Sequence, residues 1–205
     1  MSTAPPLPAP DAAYRDVLRW ALALNLLMFG VEMAASWASG SVSLLADSID
    51  FFGDAANYGL SLAVLAQARA VRSRAALVKA ACMGGFGLFV LGQVAWKLQT
   101  GSAPEPATMG VVGVLALAVN LFVAWRLYRY RHGDADMRSV WICSRNDALG
   151  NLAVMGAALG VFGTGRAWPD LLVAAAMGVL ALQGAWLVRR QAHAESGAAA
   201  DPGRG

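Results

Sequence analysis

The 205-residue chain is 58% hydrophobic and 14% charged, with a mean hydropathy of +0.51 and a formal net charge of +3. Soluble domains run at about 45–50% apolar and about 25% charged. Composition therefore moves the chain toward the membrane class, while the small, scattered positive balance excludes a nucleic-acid binder. Two cysteines, Cys82 and Cys143, both inside apolar stretches, make a disulfide framework untenable.

Residues 1–14 are rich in alanine and proline and lack the basic segment and cleavage pattern of a secretory signal, so they read as a disordered tail. From residue 15 to residue 190 the chain offers six stretches long enough to span a bilayer, each near the roughly 20 apolar residues that its hydrocarbon thickness demands. They are Val17–Trp37, Leu44–Ala66, Ala75–Trp96, Ala107–Trp125, Val140–Val161 and Trp168–Val188. The joints carry breakers: Ser39-Gly40-Ser41, Arg72-Ser73-Arg74, Gly101 to Pro104, His132-Gly133-Asp134 and Gly163-Thr164-Gly165. Residues 191–205 read as a short disordered tail, too few for a folded domain. The expected fold is an all-α membrane protein of six transmembrane helices.

Thirteen of the sixteen lysines and arginines fall on one side of this arrangement, at the first helix start, the second and fourth joints and the last helix end. Lys97 and Arg166 fall on the other side, and Arg145 lies within a span. The bias predicts that both termini are cytoplasmic. Seven tryptophans near span ends read as interfacial anchors.

Charges inside the spans need a reason. The second helix carries Asp47, Asp50 and Asp54, and the fifth carries Asp147. An aspartate at a span centre costs roughly 2.5–3.5 kcal/mol, so four cost on the order of 10 kcal/mol unless protons, a bound cation or a wet cavity offset them. At about 100° per residue, Asp50 and Asp54 lie about 40° apart, with Asp47 and Asn57 on the same stripe, which is expected to face inward. On the fifth helix Cys143, Asp147 and Asn151 form a second stripe. With the two helices antiparallel, Asp54 is expected level with Cys143 and Asp50 with Asp147. Two such pairs can surround one divalent ion. Asp47, nearest the outer end, is the member best suited to a structural role. Arg145 points about 200° away from Cys143 and Asp147, which suits an ion pair or snorkelling better than a place in the site.

The run Ser39 to Asp54, with Leu44-Leu45-Ala46-Asp47 followed by Asp50 and Asp54, resembles the second-helix entry of the cation diffusion facilitator (cation efflux) family. Asp147-Ala148-Leu149-Gly150-Asn151 is similar to that family's fifth-helix motif, and Trp168-Pro169-Asp170 to its entry into the sixth helix. Asn25 and Glu32 in the first helix, and Asn120 in the fourth, also stand where members often carry polar residues. The resemblance implies a divalent metal efflux carrier, not an enzyme, exchanging metal for protons by alternating access. Helices one, two, four and five would form its core, with three and six paired outside. It carries over Asp50, Asp54 and Asp147 as ligands, with Asp47, Glu32, Asn57, Asn151 and Asn25 as supporting groups.

The site departs from zinc-transporting members, which place histidine at the Asp50 position, the Cys143 position or both. Oxygen ligands favour manganese, magnesium or ferrous iron, and a Cys143 thiolate would favour zinc, cadmium or cobalt; Cys143 could equally be a small buried hydrophobe. No prosthetic group is expected, only the transported ion. The resemblance is to a short form lacking the family's C-terminal cytoplasmic domain, so a homodimer would form through membrane helices, for instance at Gly156 and Gly160. A multi-pass protein of a bacterial inner membrane is the expected setting. Competing readings are a metal-sensing membrane subunit without transport and a metal-dependent lipid-headgroup transferase. The second lacks the further aspartates it needs on the third helix.

Overall fold

A computed structural model gives the backbone of residues 12–64, 69–131 and 135–200, and the side chains among them apart from residues 64, 69–76, 79, 135–140, 142–143 and 191–200. These residues form six long α-helices: α1 (Ala12–Ser39), α2 (Val42–Val64), α3 (Arg69–Thr100), α4 (Pro106–Leu127), α5 (Ala135–Thr164) and α6 (Trp168–Ala200). A single 3-10 turn, Tyr128–Tyr130, follows α4.

Several boundaries differ from the sequence expectation, among them the start of α1 at Ala12, inside the stretch read as a tail, and the start of α5 at Ala135. Arg72-Ser73-Arg74, read as a breaker, lies inside α3, whose first residue is Arg69. Serine and arginine tolerate helix well enough that the apolar run propagates backward through them. At the other end α6 runs on to Ala200, because its alanine-rich continuation is a strong helix former even beyond the apolar stretch.

The outside of the bundle carries many large apolar side chains, while several acidic and amide side chains lie inside. Leu27, Leu88, Val111, Leu159, Phe162, Leu172 and Leu180 are all exposed, whereas Asn25, Glu32, Asp47, Asp54, Asn120 and Asn151 are buried. A soluble protein does not leave such a large contiguous apolar surface bare, and a lipid-facing one must. The chain is a multi-pass membrane protein. Trp20, Trp37, Trp96, Trp125, Trp168 and Trp186 are exposed near the helix ends, as interfacial anchors are. Among the described residues, five helices or their apolar portions are long and apolar enough to cross a membrane: Ala12–Ser39, Ala80–Thr100, Pro106–Tyr130, Ser144–Thr164 and Trp168–Arg190. Absent from this set is α2, which carries Asp47, Asp50 and Asp54 within 23 residues.

Helix pairing follows the distribution of small residues. α3 packs chiefly on α6, where the backbones approach so closely that a Cβ on Gly87 would sit 3.0 Å from the Gly178 carbonyl oxygen. α1 pairs with α2 and α4 with α5, while α1–α4 and α2–α5 contacts close these four into one group. Gly160, whose spacing from Gly156 suits close packing within one chain better than a dimer seam, faces Pro169 of its own chain, where an added Cβ would come within 2.8 Å.

One end of the bundle is tied by polar contacts. α1, α3 and α5 each terminate in a glycine of positive φ (Gly40, Gly101, Gly165) whose N–H returns to a carbonyl four residues back, a closure that side-chain-bearing residues disfavour. Glu105 N–H donates to the Ser39 carbonyl at 3.0 Å, joining the α3–α4 loop to α1. Asp170, 1% exposed, reaches from α6 across the start of α2. It accepts from Ser41 Oγ at 2.6 Å, Val42 N–H at 2.9 Å and Ser43 N–H at 3.0 Å, while Ser41 Oγ accepts from Leu44 N–H at 3.1 Å. Three of the four N–H groups that a helix start leaves orphaned are thereby satisfied inside the fold.

Glu105 caps α4 in the same way, accepting from Ala107 N–H at 3.0 Å and Thr108 N–H at 2.7 Å, with Pro106 at the first helical position. Its hydrogen bonds to Thr108, and then to Ala107, hold its carboxyl below the ordinary glutamate value of 4.5. The sign follows: the contribution is fully present above the unfolded-state value and disappears as pH falls through the folded one. Acidification is therefore expected to lower the protection of the Ala107 and Thr108 amides, once the intrinsic pH dependence of exchange is divided out. Glu105→Gln should show raised exchange there at neutral pH and no further acid response, measured by hydrogen–deuterium exchange.

Candidate metal centre

The acidic stripe of α2 meets α5 through a tyrosine. Asp54 is 7% exposed, and its Oδ2 accepts from the Tyr58 hydroxyl at 3.2 Å. The same hydroxyl lies 2.6 Å from Ser144 Oγ on α5. A tyrosine has a single hydroxyl proton; donated to Asp54, it leaves Ser144 as the donor to Tyr58. Because Tyr58 leans back along its helix toward Asp54, the Asp54 carboxyl and Ser144 lie at one depth. Asp147, one turn further along α5 and half-buried, is within electrostatic range of Tyr58.

The remaining expected residues are distributed as follows. Asp47, Asn25, Glu32 and Asn151 are buried, and Asn57 is half-buried. The side chain of Cys143 lies outside the described residues. Asp50 departs from the inward-facing expectation: it is exposed, although Ala46 and Asp54, one turn to either side of it, are buried. The apolar cluster that α3 and α6 build against α2 takes Val42, Ala46 and Ile49, and Phe86 of α3 meets Phe52, and the Asp50 side chain falls on a flank outside both contacts. Among the described residues no three His, Cys, Asp or Glu side chains gather closely enough to hold a metal ion. Asp50, Asp54 and Asp147 therefore do not converge on one point in this arrangement.

Arg145 stays clear of this region. It is exposed, donates to Asn146 at 3.1 Å and stands 5.4 Å from the Trp141 ring centroid. The ring face offers it a cation–π partner.

The interior is lined with polar atoms that meet no partner among the described residues: Asn25 Oδ1, Asn120 Oδ1, and both Oδ1 and Nδ2 of Asn151. Asn25 lies between Ala21 and Met28, Asp54 between Phe51 and Tyr58, and Asn120 between Ala116 and Val123. Each of these flanking pairs belongs to the same two apolar clusters, which puts all three polar residues in one layer. Buried amides without partners mark a place where water or an ion completes the bonding. Sequence reasoning missed Tyr58 and Ser144. The signal for Tyr58 was its spacing of four from Asp54; Ser144 offered none beyond adjacency to Cys143.

The sequence model of the cation efflux transmembrane domain matches residues 18–193, most of the chain. The metal cation efflux system protein CzcD of Cupriavidus metallidurans is 24% identical over 183 residues, covering 83% of this chain and 58% of that protein. The zinc transporter ZitB of Yersinia pseudotuberculosis is 24% identical over 188 residues, covering 85% of this chain and 60% of that protein. The chain thus spans less than two thirds of the length of these relatives. With acids on its second and fifth helices and a lipid-facing exterior, the chain belongs to the cation efflux family, which it matches through the transmembrane domain.

Proposed function

We propose that the protein carries a divalent metal cation across a bacterial inner membrane, exchanging it for protons, with Asp54 and Asp147 as the central ligands. The observation that carries this reading is the buried Asp54 linked to α5 through Tyr58 and Ser144, inside a bundle whose exterior is apolar. In this reading α2 is the sixth span, its charges tolerated because they face a cation path, and both termini are cytoplasmic. Asp50, on the uncovered flank, receives the ion. Cys143 and the orphaned amides of Asn25, Asn120 and Asn151 supply further donors, and Asp47, Glu32 and Asn57 support the acids. Loading draws α2 and α5 together, because the acids stand apart in the present arrangement. Carboxylates brought together repel unless a cation or protons lie between them, which makes metal and protons exclusive occupants.

The names of the relatives point to zinc and other metal cations, and they weigh against a lipid-headgroup transferase. The donor set is mixed: carboxylate and amide oxygens suit manganese or ferrous iron, and a Cys143 thiolate suits zinc, cobalt or cadmium. Uptake into proteoliposomes over a panel of these ions tests the reading. Flux is expected, faster with an acidic interior and slower when an ionophore collapses the pH gradient. Binding without flux would identify a sensor instead, and flux indifferent to the gradient would remove the proton exchange.

A further inference from the structure

Glu32 on α1 and Asp47 on α2 stand apart from the chain of Asp54, Tyr58 and Ser144. They are 0% and 1% exposed, on the faces that α1 and α2 pack against each other. Neither oxygen of Glu32, nor Oδ2 of Asp47, meets an N–H or hydroxyl donor among the described residues. Their level in the bundle is fixed by two clusters, one holding Ala35 and Leu44 and the other Met28 and Phe51, with the pair between them. Along α2 this is seven residues, about 10 Å, from Asp54.

Among the described residues the surroundings supply acids and no counter-charge. Asp50 stands one turn from Asp47 on α2. The buried face of α4, which packs on α1, runs Met109, Gly113, Ala116, Asn120, Val123 and Leu127, without an ionisable side chain. From α5 comes Asp147, and from α6 comes Asp170, already engaged with the start of α2. The charge on α3 at this end is Lys97, which donates to Ser102. Two ionised carboxylates pressed together without water or a cation repel strongly. A divalent ion needs more ligands than two enclosed side chains offer, whereas a proton needs only the two facing oxygens.

We infer that Glu32 and Asp47 form a proton-binding site of their own, one proton bridging the two carboxyls and joining α1 to α2. One carboxylic acid O–H donates to the other group's carboxylate oxygen, so the pair carries a single negative charge. This site goes beyond the carrier reading, which assigns the pair only a supporting role.

Infrared difference spectroscopy of the full chain in detergent, wild type against variant, tests the inference. The wild type is expected to show a protonated-carboxyl C=O stretch that shifts in heavy water. Glu32→Gln and Asp47→Asn should each remove it, their double variant should remove that one band and no second, and Asp54→Asn should leave it. Absence of the band in wild type, its survival in either single variant, or loss of two bands in the double variant would overturn the bridge. Solid-state NMR of 13C-labelled carboxyls repeats the test without substitution: a glutamate and an aspartate carboxyl should correlate through a shared proton, and lack of that correlation counts against the pair. Neither readout uses a transported ion. A failed bridge therefore leaves the carrier reading intact, and a protein without flux can still hold the bridge.

Discussion

Asp54→Ala and Asp147→Ala are each expected to reduce metal flux in proteoliposomes to the level of protein-free vesicles, with helical content and melting temperature maintained. The two halves of the result support each other. Removing an acid from an apolar interior relieves a desolvation cost, so stability should hold or rise, and a loss of flux cannot then be ascribed to unfolding. Asp54 carries the stronger expectation because it is buried and bonded to Tyr58. The companion variant Tyr58→Phe keeps the ring and removes the hydroxyl that positions the carboxylate. A hydrogen bond to a charged group contributes about 1.5–3 kcal/mol, so flux at limiting ion concentration should fall about tenfold or more. Undiminished flux in both alanine variants would end the assignment of these residues as ligands.

Asp170→Ala has the largest expected effect on stability. It strands the N–H groups of Val42 and Ser43 and the hydroxyl of Ser41 away from water. An unsatisfied buried donor costs about 1–3 kcal/mol and a lost cap about 0.5–2 kcal/mol, so a destabilisation of at least about 2 kcal/mol should appear in thermal melting. The contrast is Asp16→Ala, which removes an exposed ion pair with Arg19 at 3.0 Å. Exposed pairs of this kind contribute about 0.3–0.5 kcal/mol. If both variants melt together, Asp170 is not the clamp its three bonds imply.

The helices were readable because a bilayer imposes a length and a composition, and five of them meet both on plain hydropathy. α2 shows why hydropathy alone falls short: the acids that disqualify it by composition are the same ones that point to its function. Asp54 and Asp47 could be placed inside from their spacing. Asp50 could not, because its exposure depends on which flank of α2 its neighbours cover, a tertiary fact that one helix's periodicity does not contain. Tyr58 and Ser144 escaped for a similar reason. Each is an ordinary residue of its own helix, and their meaning arises where two segments 86 positions apart touch. The Asp170 clamp was visible only as an acid after a proline, with no hint in the sequence of the distant helix it closes.

That clamp gives α2 the mechanics of a lever held at one end. From Val42, where the pin grips, to Asp54 is twelve residues, about 18 Å of helix at 1.5 Å each. A swing of only ten degrees about that fulcrum sweeps Asp54 through about 3 Å, roughly a ligand's width, while the pinned turn scarcely stirs.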